Sequence, residues 1–104
     1  MDEEKVTAVY LMVRSSELEP ADMGGYERPL EAQKKECLAF LGSRGEAAQK
    51  AVVYTSRRDL FRDIERGRIA RLVVHDVNRL GSGDEIDGIL FELRMAGVEL
   101  ITVK

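Results

Sequence analysis

Residues 6 to 13 read Val-Thr-Ala-Val-Tyr-Leu-Met-Val, an unbroken run of apolar and β-branched side chains with a charged residue on either side. Such a run is typical of a β-strand that is buried on both faces of a sheet. Shorter runs of the same kind follow at residues 51 to 54 and 72 to 74, and another occupies residues 98 to 103. The sequence therefore predicts four strands inside a covered sheet.

Three amphipathic segments separate these strands, and each has helical spacing. They extend from Pro29 to the glycines at 42 and 45, from Ser56 to Gly67, and from Ile86 to Gly97. Pro29 suits a first helical turn, and glycine commonly ends a helix. The order β-α-β-α-β-α-β favours parallel strands joined by right-handed crossovers. We therefore predict a three-layer α/β/α fold with a mainly parallel four-stranded sheet.

Residues 15 to 28 contain Pro20, Gly24, Gly25 and several acids, with no hydrophobic period. Loops of this length are uncommon in compact domains and are often functional. We expect this segment to be irregular and mobile.

The composition bounds the class of protein. The 104 residues, 44% hydrophobic and 34% charged, suit one soluble domain spanning residues 1 to 104. No apolar run reaches the length of a membrane span, and the acidic N-terminus is unlike a signal peptide, so we expect a cytoplasmic protein without membrane contact. With only Cys37 and His75 to offer, the chain is expected to bind neither metal nor cofactor. Both residues are interpreted as structural.

Charge is unevenly distributed along the chain. The net charge is −3, yet residues 57 to 71 contain six arginines and three acids. Arg58, Arg62 and Arg66 are four apart, so they form one ridge on the second helix. This ridge is either a solvated face or a patch that contacts an acidic partner protein or the acidic 17–22 loop of another copy.

The carboxyl ends of the predicted strands, at residues 13 to 16, 54 to 57 and 76 to 82, should meet at one edge of the sheet, where ligands gather in such folds. Arg57 and Arg79 approach that edge from different elements, which suits recognition of phosphate or carboxylate. The Gly81-Ser-Gly83 turn precedes a helix and is either a plain turn or an anion site. A small anion- or nucleotide-binding domain is therefore one hypothesis.

Several short strings resemble the catalytic domain of serine recombinases, the resolvase and invertase family, in which that domain is N-terminal. In order, the strings are Ala8-Val-Tyr10 leading into Val13-Arg-Ser-Ser16, Leu30-Glu-Ala-Gln33 with Glu36-Cys-Leu-Ala-Phe40, Arg57-Arg-Asp-Leu60, Gly67-Arg-Ile69, Asn78-Arg-Leu-Gly81, and Glu92-Leu-Arg-Met-Ala-Gly-Val-Glu-Leu100. The resemblance covers nearly the whole chain and implies a fold that serves DNA recombination and integration.

The family attacks a DNA phosphodiester with a serine in a Tyr-x-Arg-Val-Ser pattern on the first strand. Aligned from Tyr10, the family arginine falls on Met12 and the nucleophilic serine falls on Arg14. Methionine brings no charge, and arginine offers no oxygen for attack. The resemblance therefore implies a degenerate site at this strand.

The family's arginine cluster departs in the same direction. Its Asp-Arg-Leu-x-Arg pattern reads here as Asn78-Arg-Leu-Gly-Ser82, which keeps Arg79 and loses the acid and the second arginine. Gln33 and Arg57 also match. No catalytic residue is assigned with these departures.

Three functions follow from these observations. The first is a catalytically lost relative, a pseudoenzyme that acts as a protein-interaction or regulatory module. The second is an active recombinase domain in which the motif is shifted by two residues, so that Arg14 precedes the nucleophile Ser16, or Ser15. The third is the anion-binding domain. Family members continue with a dimerisation helix and a helix-turn-helix domain, which these residues lack, so we expect DNA binding to be weak.

Overall fold

The computed structural model describes residues 5–45 and 50–104. Its strands are β1 (Val6–Tyr10), β2 (Val52–Tyr54), β3 (Ile69–Val74) and β4 (Glu99–Thr102). They form one parallel sheet in the order β2-β1-β3-β4. In the register of this sheet, Val9 lies opposite both Val53 and Val73. All four carboxyl ends therefore reach the same edge, as predicted.

Three helices cover the two faces of the sheet: α1 (Glu27–Ser43), α2 (Arg57–Glu65) and α3 (Glu85–Met95). On one face, Cys37 and Leu41 of α1 pack against Val9 and Val73. On the other face, the buried side chains of α2 and α3 pack against β1 and β3; they include Leu60, Ile64, Ile89, Leu93, Leu72 and Val74. The predicted three-layer α/β/α fold is confirmed.

Helix ends follow the local signals in the sequence. The Ser56 hydroxyl accepts a hydrogen bond from the Asp59 backbone N–H at 3.3 Å, which caps α2. Gly67 and Gly97, which follow α2 and α3, have φ angles of 71° and 74°. Glycine adopts this left-handed conformation without the steric penalty that other residues meet. The ends predicted for α2 and α3 are therefore confirmed, whereas α1 continues through Gly42 to Ser43.

Some bounds differ from the sequence prediction. β1 ends at Tyr10 rather than at residue 13, and α1 begins at Glu27, two residues before Pro29. β3 begins at Ile69 rather than at residue 72. The apolar pattern missed this start because Arg71 interrupts it, but Arg71 lies 3.7 Å from the Glu99 carboxylate on the neighbouring strand. A charged pair thus replaces an apolar contact within the sheet.

The 15–28 segment is irregular up to residue 26, as predicted, with two short 3₁₀ turns at Ser15–Glu17 and Pro20–Asp22. Local contacts hold it. Asp22 accepts a hydrogen bond from the Glu19 backbone N–H at 2.8 Å and lies 2.7 Å from the Arg28 guanidinium. Its mobility stays a prediction. None of the helices in the described ranges is long and apolar enough to cross a bilayer.

Candidate functional site at the carboxyl edge of the sheet

Arg79 is the centre of the polar network at this edge. It ends a 3₁₀ turn, Val77–Arg79, that follows β3, and its side chain is only 10% exposed. The guanidinium donates to the Met12 carbonyl oxygen at 2.9 Å and to Oδ2 of Asp76 at 3.1 Å, and it also donates to the Glu17 carboxylate. Two carboxylates therefore neutralise its charge within the chain.

The acidity of these carboxyl groups reflects the same contacts. The hydrogen bond from Arg79 holds the pKa of Glu17 below its ordinary value. Burial alone would raise the pKa of Asp76, but the hydrogen bonds and charges of His75 and Arg79 outweigh it and lower that pKa. Both acids are consequently ionised at neutral pH. Arg79 is an internal counter-ion rather than an unpaired cation.

Gln33 is buried on α1, and its amide is used to hold the backbone at residue 12. Its Oε1 accepts the Met12 backbone N–H at 3.0 Å, and its Nε2 donates to the Met12 carbonyl oxygen at 3.0 Å. An amide pair of this kind replaces the ladder hydrogen bonds that β1 gives up after Tyr10. Gln33 therefore shapes the chain where β1 ends.

The segment after β1 carries the positions that the resemblance assigns to nucleophile and clamp. Met12 packs against the core under α2 and α3. Arg14 is exposed and donates from Nη2 to the Asn78 carbonyl oxygen at 2.6 Å, which ties the β1 end to the β3 end. Ser15 and Ser16 are exposed in the next turn, and among the described residues neither hydroxyl has a hydrogen-bond partner. Within residues 5–45 and 50–104, no general base is therefore hydrogen-bonded to either serine.

Arg57 does not converge with Arg79 on one cleft. It lines a cleft between α2 and α3, where its guanidinium lies 3.3 Å from the Glu85 carboxylate and 5.4 Å from the centre of the Phe61 ring. Arg79 instead lines a cleft beside α1. Tyr10 is buried, which raises the pKa of its hydroxyl, and the charge of Arg57 opposes that rise. The predicted convergence of the two guanidiniums on one cleft is therefore not observed.

His75 joins α1 to the end of β3. Its Nε2 lies 2.5 Å from Oε2 of Glu36, and its Nδ1 lies 3.1 Å from Oδ2 of Asp76. These contacts agree with its interpretation as a structural histidine. Glu36 is 39 residues from His75, so no local pattern predicts this contact.

The Gly81-Ser-Gly83 turn has a packing explanation. A Cβ on Gly81 would lie 3.1 Å from the Ile89 side chain and 3.3 Å from Cβ of Glu85, so glycine lets α3 approach closely here. Gly83 has a φ of 48°. Ser82 lies between them and is exposed. These contacts favour the plain turn over the anion site.

The cleft beside α1 is rich in carboxylates. It has a volume of about 260 Å³, and its charged lining comprises Glu17, Glu19, Glu36, Arg28, His75 and Arg79. Arg28 forms an ion pair with Asp22, and Arg79 forms ion pairs with Glu17 and Asp76. A phosphate entering this cleft would meet cations already paired with acids.

The predicted arginine ridge lies on the outer side of α2. Arg58, Arg62 and Arg66 are all exposed, and Leu60 and Ile64 are buried opposite them. Arg62 lies 3.5 Å from Asp59 and 3.7 Å from Asp63. Only part of the ridge is therefore paired within the helix.

The 17–22 loop is a poor receptor for this ridge in a second copy. Two of its three acids, Glu17 and Asp22, are engaged by Arg79 and Arg28 within the same chain. Only Glu19 remains largely exposed, with 67% of its side chain accessible.

Sequence reasoning missed the acids that surround Arg79. Asp76 is three residues before Arg79, a spacing that a short helical turn brings into contact, so this pair could have been predicted. Glu17 is 62 residues away and had no such signal.

Comparison with known proteins places the fold. The C-terminal catalytic domain of ISC1926 TnpA, an IS607-like serine recombinase, is similar over 94% of this chain and 67% of its own, with a TM-score of 0.71 and 16% sequence identity. No family model and no curated protein matches the sequence. The fold is thus serine-recombinase-like. The comparison supports that fold and not the N-terminal position we expected for the domain, since the similar domain is C-terminal in its protein.

Proposed function

We propose that this chain is a serine-recombinase-like domain that has lost strand cleavage and acts as a protein-interaction or regulatory module. The observation that carries the proposal is the pairing of Arg79 with Glu17 and Asp76. Arg79 is the arginine that the family's second cluster keeps in this sequence. Its guanidinium forms ion pairs with the chain's own carboxylates.

Phosphoryl transfer depends on preorganised positive charge around the phosphate, because the transition state spreads negative charge over its oxygens. Here a DNA phosphate would have to displace two carboxylates from Arg79 and would then lie beside them. Arg57 is engaged by Glu85 in a separate cleft. The described residues thus offer no cluster of unpaired guanidiniums at the end of β1.

The nucleophile position supports the same conclusion. The aligned position holds Arg14, which spans to the Asn78 carbonyl oxygen. Ser16 is the alternative nucleophile, and its exposure at the carboxyl edge favours this second function. Against it, neither serine hydroxyl is hydrogen-bonded to a base in the part of the chain that the structure describes, and the Glu17 carboxylate follows them directly.

Loss of cleavage leaves the surface as the functional part of the molecule. The exposed ridge of Arg58, Arg62 and Arg66 offers charge to an acidic partner protein. Exposed ion pairs within a helix are weak and exchange readily, so Asp59 and Asp63 would not prevent such a contact.

A plasmid assay tests the proposal. Supercoiled DNA incubated with the purified chain should remain supercoiled, while a working serine recombinase run in parallel on its own site nicks or relaxes its substrate. Nicking by this chain that disappears in the Ser15→Ala/Ser16→Ala double variant would overturn the proposal. Nicking that persists in that variant would come from another source.

A further inference from the structure

The outer side of α3 carries large apolar side chains that the fold does not bury. Phe91 is 61% exposed and Met95 is 71% exposed, whereas Ile89 and Leu93 on the inner side are buried. Phe91 and Met95 also line a groove of about 370 Å³ between α2 and α3, with Phe61 on its other wall. Two large apolar side chains exposed beside one groove favour an interaction site.

Gly88 lies on the same side of α3, in the interior of the helix. A Cβ at this position would meet nothing within 4 Å, so packing within the chain does not require glycine. Glycine in a helix interior is less stable than alanine. Positions 88, 91 and 95 follow the i, i+3, i+7 spacing of one helical stripe. The stripe therefore has a notch at Gly88 and two projecting side chains at Phe91 and Met95.

We propose that this stripe, Gly88, Phe91 and Met95, pairs with the same stripe of a second copy in an antiparallel, two-fold arrangement centred near Phe91. A two-fold axis brings each patch onto its own copy with the direction of the helix reversed. Met95 of one chain then lies opposite Gly88 of the other, where the missing side chain leaves room for it. The two Phe91 rings meet at the centre.

Charge on the flank of the stripe is complementary in the same arrangement. Asp87 and Arg94 are both exposed, and their spacing of seven residues places them two turns apart on the same edge of the stripe. Reversal of the second helix places Arg94 of one chain beside Asp87 of the other, twice in each dimer. A parallel two-fold pairing would place the two flanks on opposite sides of the interface, so Arg94 of one chain would not meet Asp87 of the other. The charges therefore select the antiparallel orientation rather than supply most of the affinity.

These features commit the surface to a second copy of this chain. The notch, the projecting side chain and both charges occur on a single helix, and each finds its complement only when that helix meets itself in reverse. The proposal rests on the proposed function, since it gives the interaction module a partner. Because one helix pair is a small interface, association should be weak and reversible.

Analytical ultracentrifugation tests the pairing. The full chain should pass from monomer to dimer over a series from about 1 to about 500 µM. Phe91→Glu should remain monomeric, and so should Gly88→Gln, which fills the notch but removes no apolar side chain. Thermal melting of Gly88→Gln should be unchanged or higher, which shows that the loss is not unfolding. Met23→Glu is the matched control, because Met23 is 92% exposed and lies outside α3.

A charge reversal tests the orientation. Arg94→Asp should weaken the dimer about tenfold or less, and Asp87→Arg/Arg94→Asp should restore it. A wild-type chain that stays monomeric throughout, or a dimer that survives both Phe91→Glu and Gly88→Gln, would overturn the proposal. A dimer lost in Phe91→Glu but kept in Gly88→Gln would also overturn this pairing.

These failures are separable from failure of the proposed function. A monomeric chain that leaves supercoiled DNA intact would contradict the α3 pairing alone. Serine-dependent nicking would contradict the proposed function whatever the oligomeric state.

Discussion

Arg79 and Glu17 are 62 residues apart in the sequence and form a hydrogen-bonded ion pair at the carboxyl edge of the sheet. Arg79 also binds Asp76 and the Met12 carbonyl oxygen, so this one side chain ties together the ends of β1 and β3 and the turn after β1. In the proposed function, these carboxylates take the place of a DNA phosphate at Arg79.

Loss of Arg79 should destabilise the domain. Arg79→Met would leave Glu17 and Asp76 without their cation, and breaking a largely buried pair costs about 3 kcal/mol, less where one partner is partly exposed. We expect the free energy of unfolding, measured with urea, to fall by about 2 kcal/mol. Arg58→Met is the control, because Arg58 is exposed and should change the free energy of unfolding little. A role confined to ligand binding would be indicated if the two variants were equally stable.

Acid should weaken the same network. The pKa values of Glu17 and Asp76 lie below their ordinary values of 4.5 and 3.8 in the folded chain. A lowered folded pKa contributes stability above the unfolded pKa, and this stability is lost as the pH falls through the folded pKa. The free energy of unfolding should therefore fall below about pH 4. Glu17→Gln/Asp76→Asn should flatten this part of the curve, and superimposable curves would refute the assignment.

Cys37 should be inert in the folded protein. Burial on the inner side of α1, and secondly the charge of Glu36, raises the pKa of the Cys37 thiol to about 11. The thiolate is the reactive form of cysteine. A thiol reagent at neutral pH should modify Cys37 only after urea unfolds the chain. Rapid modification of the folded chain would contradict the packing of Cys37 against Val9 and Val73.

The arginine ridge should serve association and not folding. A triple Arg→Glu change at Arg58, Arg62 and Arg66 reverses the exposed side of α2 and leaves Leu60 and Ile64 in place. The melting temperature should change little, and binding to an acidic partner in a pull-down should be lost. If the variant unfolds, or if binding is unchanged, the ridge is only a solvated face.

Duplex DNA should bind weakly. The net charge is −3 and Arg79 is neutralised internally, whereas non-specific DNA binding comes from unpaired cations. At physiological salt we expect a dissociation constant of about 10⁻⁴ M or weaker by fluorescence anisotropy. Sub-micromolar binding with a steep salt dependence would contradict this prediction and show that the arginines of residues 57 to 71 outweigh the net negative charge.

The fold was largely predictable because its signals are local. The run at residues 6 to 13, the helical spacings, and glycines such as Gly67 and Gly97 each depend on neighbours within a few positions. β3 was predicted too short because an arginine within it pairs with Glu99 on another strand, a contact that no local pattern contains.

The candidate site was predictable only in its position. The order of elements placed Arg14, Asn78 and Arg79 at one edge of the sheet, and the structure brings them together there. The long-range contacts were not predictable: Glu17, which binds Arg79, and Glu36, which binds His75, both belong to distant segments. These contacts depend on how α1 and the 15–28 loop pack. The separation of Arg57 from Arg79 likewise depends on the placement of α2.

Trapping of a covalent protein–DNA adduct tests the absence of strand cleavage most directly. A working serine recombinase leaves a phosphoseryl bond to the DNA end, so labelled supercoiled DNA and the chain are incubated, denatured and resolved by electrophoresis. No labelled protein band is expected, in wild type or in Ser16→Ala. A labelled band that is present in wild type and lost in Ser16→Ala, or in Ser15→Ala, would contradict it and identify the nucleophile.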